Sequence, residues 1–413
     1  MEKKSFFGSL MGGDNWIWGI YWILFFISIV ELASASSQLA YKQVTNDNPL
    51  VRHTMFLLVG FFFFTLTFQS LTSIKVRYAV WAGRLAYFLG FVLMCLLPFF
   101  GRIHQGAIRD IGGIQPVEFL KVGMIIVLCE IIATSSESFK KYKWFREKTE
   151  GRKFWLMVLV VVAAAAPIAL QNLSSALILG MTAAGIMFVG EVKTKYLCKA
   201  AVAGMIIGSI LLAALGGLHV LNASHETAGE RHRTNNLGLL DRANTWESRI
   251  FDGNGDTPIW DQVIDDDNMQ VIYAHMAIAN SKGIGRFFGE SQLRDYLPEA
   301  FSDYIYCIIF EETGIFGAAL VMIFYFTLFI RCCIISARTD DKLKRLLMIG
   351  LPLMIIIQAL IHMGVCCNAM FVTGQPLPLI SRGGMSILST SVIFGILAGL
   401  SRNIEREKDR LEE

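Results

Sequence analysis

Charge is what this sequence has least of. Asp, Glu, Lys and Arg make up 17% of its 413 residues, against about 25% in a soluble chain. With 54% hydrophobic residues and a mean hydropathy of +0.51, that shortage excludes an ordinary cytosolic domain and a disordered one. No sign of charge dominates either: a net charge of +3 is too balanced for nucleic-acid binding. No His/Cys group has zinc spacing. The eight cysteines, Cys95, Cys129, Cys198, Cys307, Cys332, Cys333, Cys366 and Cys367, lie in or beside apolar runs. They read as small buried hydrophobes, not as a disulfide framework. No cleavage site follows the first apolar run, which is long enough to span, so no removable leader is expected.

What is present is a series of long apolar runs, with 30 Phe and 17 Met suited to a lipid-facing surface. A helix needs about 20 apolar residues to cross a membrane. Runs near 15–36, 54–71, 79–100, 116–135, 154–171, 174–190, 197–218, 304–330, 346–367 and 384–401 predict about ten spans. No ten-residue alternating pattern appears, so the expected fold is an all-α integral membrane protein, one polytopic domain over 1–413. Ten spans put both termini on one side, and the segments there carry roughly twenty-two of the 37 Lys and Arg, against about five in the short loops opposite. Lys140, Lys141, Lys143, Arg146, Lys148, Arg152 and Lys153 form the densest stretch. Both termini are therefore expected in the cytoplasm. One long segment, about 219–303 between the seventh and eighth spans, then lies outside, its acids outnumbering its bases about two to one. Loops this long are usually functional.

Candidate chemistry clusters at the ends of the loops. The long loop closes on Asp295, Glu299 and Asp303 just before an apolar helix. Ser302 or Asp303 there either caps the helix, or Asp303 serves as a general base or metal ligand. Glu311 and Glu312 follow inside the membrane, where a carboxylate needs a partner or cavity. At 100° per residue Glu311 falls within a quarter turn of Asp303 and could extend its site, while Glu312 points away into the bundle. Near the third span, Arg109 precedes Pro116, the expected helix start. Glu118 and Lys121, spaced i,i+3, pair with each other, or Arg109 and Lys121 offer cations to an anionic headgroup. Near the C-terminus, Thr373-Gly-Gln-Pro-Leu-Pro-Leu-Ile-Ser-Arg-Gly-Gly-Met-Ser386 reads as a stiff re-entrant turn or as a cavity wall touching substrate.

In this order the segments resemble the SEDS (shape, elongation, division, sporulation) family, whose members include FtsW and RodA. The likeness rests on Gly106-Ala…Arg109…Gln115-Pro116…Glu118…Lys121, on Leu297-Pro298-Glu299…Asp303, on Glu311-Glu312…Gly314 and on Gly374-Gln-Pro-Leu-Pro-Leu-Ile-Ser381…Gly383-Gly384. It implies a peptidoglycan glycosyltransferase that polymerises lipid II onto a nascent lipid-linked glycan and releases undecaprenyl diphosphate. Asp303 matches the catalytic carboxylate and a contact for a divalent cation, Mg or Mn. Arg109, Lys121, Asp295, Glu299, Gln375 and Ser381 are implied in substrate binding. Glu118, Glu311, Pro378, Gly383 and Gly384 are implied as supports. Arg242…Trp246…Arg249-Ile250 and Thr373 to Leu379 resemble the division branch, which implies a class B penicillin-binding protein and other divisome proteins as partners. The same likeness implies the bacterial inner membrane, at the septum.

Asp110, His362, Phe371 and Arg382 depart from the family pattern, and Asp110 could pair with Arg109 internally. A lipid II flippase remains a rival, because Glu31, Arg84, Glu130 and Glu312 would serve a transport pathway as well as a site. No paired broken helices stand out to favour it. A non-catalytic scaffold and an elongation polymerase are further alternatives.

Overall fold

The structure is a computed structural model that describes residues 12–35, 49–73, 76–104, 107–141, 149–202, 204, 264, 268–297, 300–370 and 372–412. Within these, α1 (Asn15–Ala35), α2 (Pro49–Ser73), α3 (Val76–Phe100), α4 (Pro116–Ala133), α6 (Thr149–Ala169), α7 (Leu173–Val189), α9 (Ile305–Ser336), α10 (Lys342–Cys366) and α11 (Gly384–Glu412) occupy nine of the ten apolar runs. Of the remaining run, 197–218, residues 197–202 and 204 are described and are helical. Among those described, seven helices are long and apolar enough to cross a membrane. The two others have visible reasons to differ: α4 carries Glu118, Lys121 and Glu130, and α7 has 17 residues.

Packing sorts the helices into an inner and an outer set. Both α10 and α11 are buried over most of their length, while α2, α3 and α6 present Phe, Leu and Trp outward. The principal pairings are α11 with α2, α3 with α4, α9 with α10 and α6 with α7. At the end bearing the chain termini, Asp14 is buried and accepts two bonds from the Arg331 guanidinium, at 2.6 and 2.8 Å. Its backbone N–H donates to Ser401 Oγ at 3.0 Å, so one residue fastens α1 to α9 and α11. The cysteines divide in a way the apolar runs did not foretell. All eight are free; Cys129, Cys307, Cys332 and Cys366 are buried, but Cys95, Cys198 and Cys367 are exposed.

Three further elements lie outside the spans: a hairpin of β1 (Arg102–His104) and β2 (Ala107–Asp110), the short α5 (Ser136–Lys140) and α8 (Met269–Asn280) in the long loop. The hairpin is the one sheet among the described residues, and it carries Arg109.

The eighth apolar run is not one helix. At Gly314, φ is 67° and ψ −165°, and α9 breaks there. Ile315 N–H, which a continuous helix would give to Glu311 O, donates instead to Gly283 O at 3.0 Å. Glu311 O accepts from Arg286 N at 3.0 Å and Glu312 O from Phe287 N at 2.9 Å. The end of the long loop is thus threaded into the break, so the orphan backbone groups are met by protein and not by lipid. Side chains do not fit at the crossing: a Cβ on Gly285 would lie 2.5 Å from Glu312 O, and one on Gly314 2.4 Å from Ile284 C. Gly285→Ala is expected to destabilise the protein by more than the about 1–2 kcal/mol of left-handed strain alone, because backbone must also move, and so to lower the thermal unfolding midpoint in detergent. An unchanged midpoint would show that the loop is not docked in this way.

Candidate functional site

Asp303 lies where α9 begins, α10 ends and α11 begins, at the end of the bundle opposite Asp14. It does not cap α9: the N-cap is Tyr304, and no side chain accepts the first N–H groups. The carboxylate accepts from Ser302 Oγ at 3.2 Å through Oδ1. Its other oxygen faces Gly374, where a Cβ would stand 3.2 Å away and φ is +60°. A larger residue at 374 would therefore crowd the carboxylate and strain the turn together. Beneath it, the Cys366 thiol approaches the Asp303 carbonyl at 4.0 Å. Arg382 N–H donates to Phe301 O at 2.9 Å, and its guanidinium lies 5.0 Å from the Phe301 ring centre. Arg382 thus stands beside the Asp303 turn, a placement that its departure from the family pattern does not by itself suggest.

The segment 373–383 closes one side of this site, and its irregular backbone is satisfied by side chains from surrounding helices. Gln358 Nε2 donates to Pro376 O at 2.9 Å, His362 Nδ1 to Gln375 O at 2.7 Å, Tyr325 OH to Pro378 O at 2.6 Å and Ser28 Oγ to Ile380 O at 2.9 Å. Gln375 and Ser381, expected to touch substrate, are buried instead. Gln375 Nε2 donates to Ser175 Oγ at 2.8 Å, and Ser381 Oγ accepts from Leu377 N at 2.7 Å. Pro376 and Pro378 supply no N–H, and within the segment the Ile380 and Ser381 N–H groups donate to Leu377 O, so its polar side chains help to hold it. Gly384 opens α11 against Phe56, whose ring would lie 2.7 Å from a Cβ, and Gly383 abuts Ser386 and Pro376.

Lys121 also differs from its expected role as a cation for a headgroup. It is fully buried on α4, with Nζ 2.8 Å from Glu118 Oε1, and Ser389 Oγ donates to Glu118 Oε2 at 2.7 Å. The i,i+3 pair is formed and is anchored to α11. The backbone of Arg109 lies in β2, while its side chain, like the whole of Glu299 and Phe371, falls outside the described residues. Asp110 accepts from Gly113 N at 2.8 Å, closing the turn after β2.

Glu311 turns to the long loop, not to Asp303. Fully buried, its carboxylate accepts from Asn280 Nδ2 at 2.5 Å, Ser291 Oγ at 2.5 Å, Gln292 N at 3.1 Å and Leu293 N at 3.4 Å. Glu312 points to α1, bonded by Ser34 Oγ. Arg294 NH1 reaches Ser34 O at 3.2 Å, and its Nε lies 3.8 Å from Asp295 Oδ1. The two glutamates thereby grip the stretch that leads through Asp295 to Asp303. Helical periodicity gave their directions relative to each other, but the partner of Glu311 is a loop whose path no local pattern encodes.

As a cation site, the described donors amount to the Asp303 carboxylate, the Ser302 hydroxyl and backbone carbonyls. Among the described residues no group of three or more His, Cys, Asp or Glu could hold a metal. Such a set fits an ion of the Mg type, which takes one or two carboxylates and completes its shell with water and substrate phosphates. It does not fit a cage built from protein alone.

A family model for cell cycle proteins of the FtsW, RodA and SpoVE type matches residues 14–406. A probable peptidoglycan glycosyltransferase FtsW from Enterococcus hirae is 26% identical over 411 residues, 97% of this chain and 95% of the relative. Its counterpart from Geobacter metallireducens is 27% identical, covering 91% of each chain. Stage V sporulation protein E of Bacillus subtilis is 27% identical over 78% of this chain and 79% of its own. The fold resembles that of the rod shape determining protein RodA of Thermus thermophilus, with a TM-score of 0.61 at 19% identity over 96% of this chain and 98% of that one. It also resembles a chain of a peptidoglycan synthase complex that coordinates polymerization and crosslinking, at TM-score 0.65, 18% identity and 95% and 98% coverage.

Removing the Glu311 carboxylate strands four donors, each costing about 1–3 kcal/mol if left unpaired. Glu311→Ala is therefore expected to speed hydrogen exchange across residues 280–296 while the core of α10 stays protected. Uniform exchange in both regions, or no change in either, would contradict this local role.

Proposed function

The chain belongs to the FtsW, RodA and SpoVE family of cell cycle proteins, and from that premise we propose that it is a peptidoglycan glycosyltransferase that polymerises lipid II in the bacterial cytoplasmic membrane. The observation that carries this reading is the Asp303 carboxylate. It stands at one end of the bundle, held by Ser302 and overlain by Gly374, a residue with no side chain to block it. The acceptor's sugar hydroxyl gives its proton to Asp303 as its oxygen attacks the anomeric carbon of the lipid-linked chain. The glycosidic bond forms as the bond to the diphosphate breaks, and undecaprenyl diphosphate leaves with that electron pair. A carboxylate within reach of the hydroxyl supplies general-base catalysis worth about 10²–10⁴-fold. Asp303 is the residue that would hold a divalent cation, which would supply charge neutralisation for the leaving group.

Arg382 is the cation we assign to the diphosphate, supported by its position beside the Asp303 turn, with Arg109 as a further cation and Asp295 as a further substrate contact at the same end. Lys121, Glu118, Gln375, Ser381 and Pro378 act through position: their bonds hold α4, α11 and the 373–383 segment in register around the site. The grip of Glu311 on the long loop makes it a positioning residue of the same kind. Glu299, next to the Asp303 turn in sequence, is assigned to substrate contact by resemblance alone. The basic excess at the end bearing both termini supports a cytoplasmic location for them, and so an extracytoplasmic Asp303. A class B penicillin-binding protein would crosslink the product at the septum, together with other divisome proteins.

Purified protein with its cognate transpeptidase is expected to polymerise labelled lipid II, and to lose the activity on chelation until Mg or Mn is restored. Asp303→Asn should lower the rate by at least about 10²-fold. An undiminished variant, or an inactive wild type that moves lipid II across vesicles, would overturn the polymerase assignment and favour transport. Arg382→Ala is expected to raise KM for lipid II about tenfold, with Arg382→Lys intermediate, because Lys binds phosphate only as a point charge. An unchanged KM would remove Arg382 from the substrate site.

A further inference from the structure

At the end opposite Asp303, a cleft of about 430 Å³ opens on the side of the bundle, lined by Arg84, Tyr87, Glu130, Thr134, Ser138 and Phe139 among others. Its place in the membrane follows from the chain. Helix α3 begins at Val76, three residues after α2 closes at Ser73. The close of α2 is tied to α11 by Asn403 Nδ2, which donates to Leu71 O at 2.8 Å. The cleft therefore lies at the end that carries the chain termini. Glu130 stands three residues before the end of α4 at Ala133, about 4.5 Å along the axis.

The surface around the cleft faces lipid. Trp81, Leu85, Phe88 and Leu89 are all exposed on α3. Among them lies the Arg84 side chain, 48% exposed. Its Nε is 2.8 Å from Glu130 Oε2, with a second bond from the guanidinium to Oε1, and its Cζ is 5.5 Å from the Trp81 ring centre. Charge exposed to lipid is costly at the bilayer centre and is tolerated at headgroup level, where phosphates and amines are the available partners. A third charge stands at the rim. Lys153 Nζ donates to Ile132 O at 3.2 Å and Thr134 O at 2.6 Å, and lies 5.6 Å from the Phe139 ring centre. Lys153 thereby answers the carbonyls at the C-terminal end of α4.

We propose that this cleft binds the headgroup of a zwitterionic, amine-bearing glycerophospholipid, of the phosphatidylethanolamine type. The phosphodiester lies against the Arg84 guanidinium, the ammonium donates to the Glu130 carboxylate, and Tyr87, Val127, Ile131 and Phe139 receive the first part of the acyl chains. Complementarity of charge selects this ligand. A phosphate headgroup without an amine would set its negative charge beside Glu130. A quaternary ammonium lacks the N–H that the carboxylate accepts. The site is independent of the Asp303 chemistry, and only the leaflet, the inner one, rests on the orientation proposed above.

The test is lipid retention by the full-length protein, equilibrated in detergent with equal amounts of phosphatidylethanolamine and phosphatidylglycerol and read by native mass spectrometry. The wild type is expected to retain phosphatidylethanolamine preferentially. Glu130→Gln should weaken that retention about tenfold, the worth of one charge-assisted hydrogen bond, and should leave phosphatidylglycerol binding equal or stronger. Phe139→Trp fills the cleft without touching the ion pair and should reduce retention of both lipids, which keeps the test decisive if the charge variant misfolds. Preferential retention of phosphatidylglycerol by the wild type would overturn the proposal in favour of an anionic-lipid site. Retention unaffected by either variant would also overturn it, leaving Arg84 and Glu130 as a structural pair.

Discussion

Backbone hydrogen bonds withdrawn from water must be made within the protein, and at Gly314 helix α9 exchanges its own for bonds to the chain that precedes it. Three bonds cross the break, from Arg286 and Phe287 to the carbonyls of Glu311 and Glu312 and from Ile315 to Gly283. The glutamate side chains then extend the same grip, Glu311 to residues 280–293 and Glu312 to Ser34 on α1. The path of the chain into Asp303 depends on this junction. The described end of the long loop is clamped at residues 280–293, ten or more residues before the candidate catalytic carboxylate.

The 373–383 segment answers the same constraint by another route. Where α9 borrows backbone groups, this segment is served by side chains: Gln358 and His362 from α10, Tyr325 from α9 and Ser28 from α1. Its two prolines give no N–H, so internal bonding is poor and the surrounding helices supply donors. The result is a rigid wall beside Asp303, with Gly374 at the nearest point. Polar residues that look like substrate contacts in sequence, Gln375 and Ser381, are consumed in keeping that wall in place. Asp303 is thereby a partly exposed carboxylate held in a stiff frame.

The two ends of the bundle are handled differently. At the Asp303 end, Asp303 and Arg382 sit on turns, while Glu118, Lys121, Glu311 and Glu312 are buried on helices and paired or hydrogen-bonded within the protein. At the other end, charges are paired between elements: Arg331 with Asp14, Lys344 with Glu407 and Arg84 with Glu130. Such pairs fasten helices whose packing faces are largely apolar. The Arg84–Glu130 pair opens onto a cleft on the side of the bundle.

Apolar run length alone determined most of the architecture, because a segment of about 20 apolar residues has few stable alternatives to a spanning helix. Nine of the described helices fall on runs visible in the sequence, and residue order with turn chemistry marked Asp303 and the 373–384 turn as the places to look. The i,i+3 spacing of Glu118 and Lys121 foretold their pairing, since helix geometry is local. What only the tertiary structure decided was who satisfies whom. The break at Gly314 hides inside a continuous apolar run, since hydropathy does not register the left-handed turn and the partner that permits it lies some thirty residues earlier, at Gly283 to Phe287. The burial of Lys121, Gln375 and Ser381, and the placing of Arg382 beside Asp303, likewise depend on contacts between distant segments. A polar residue's type fixes what it can bond; whether the partner is protein or substrate is set by packing, which local sequence does not encode.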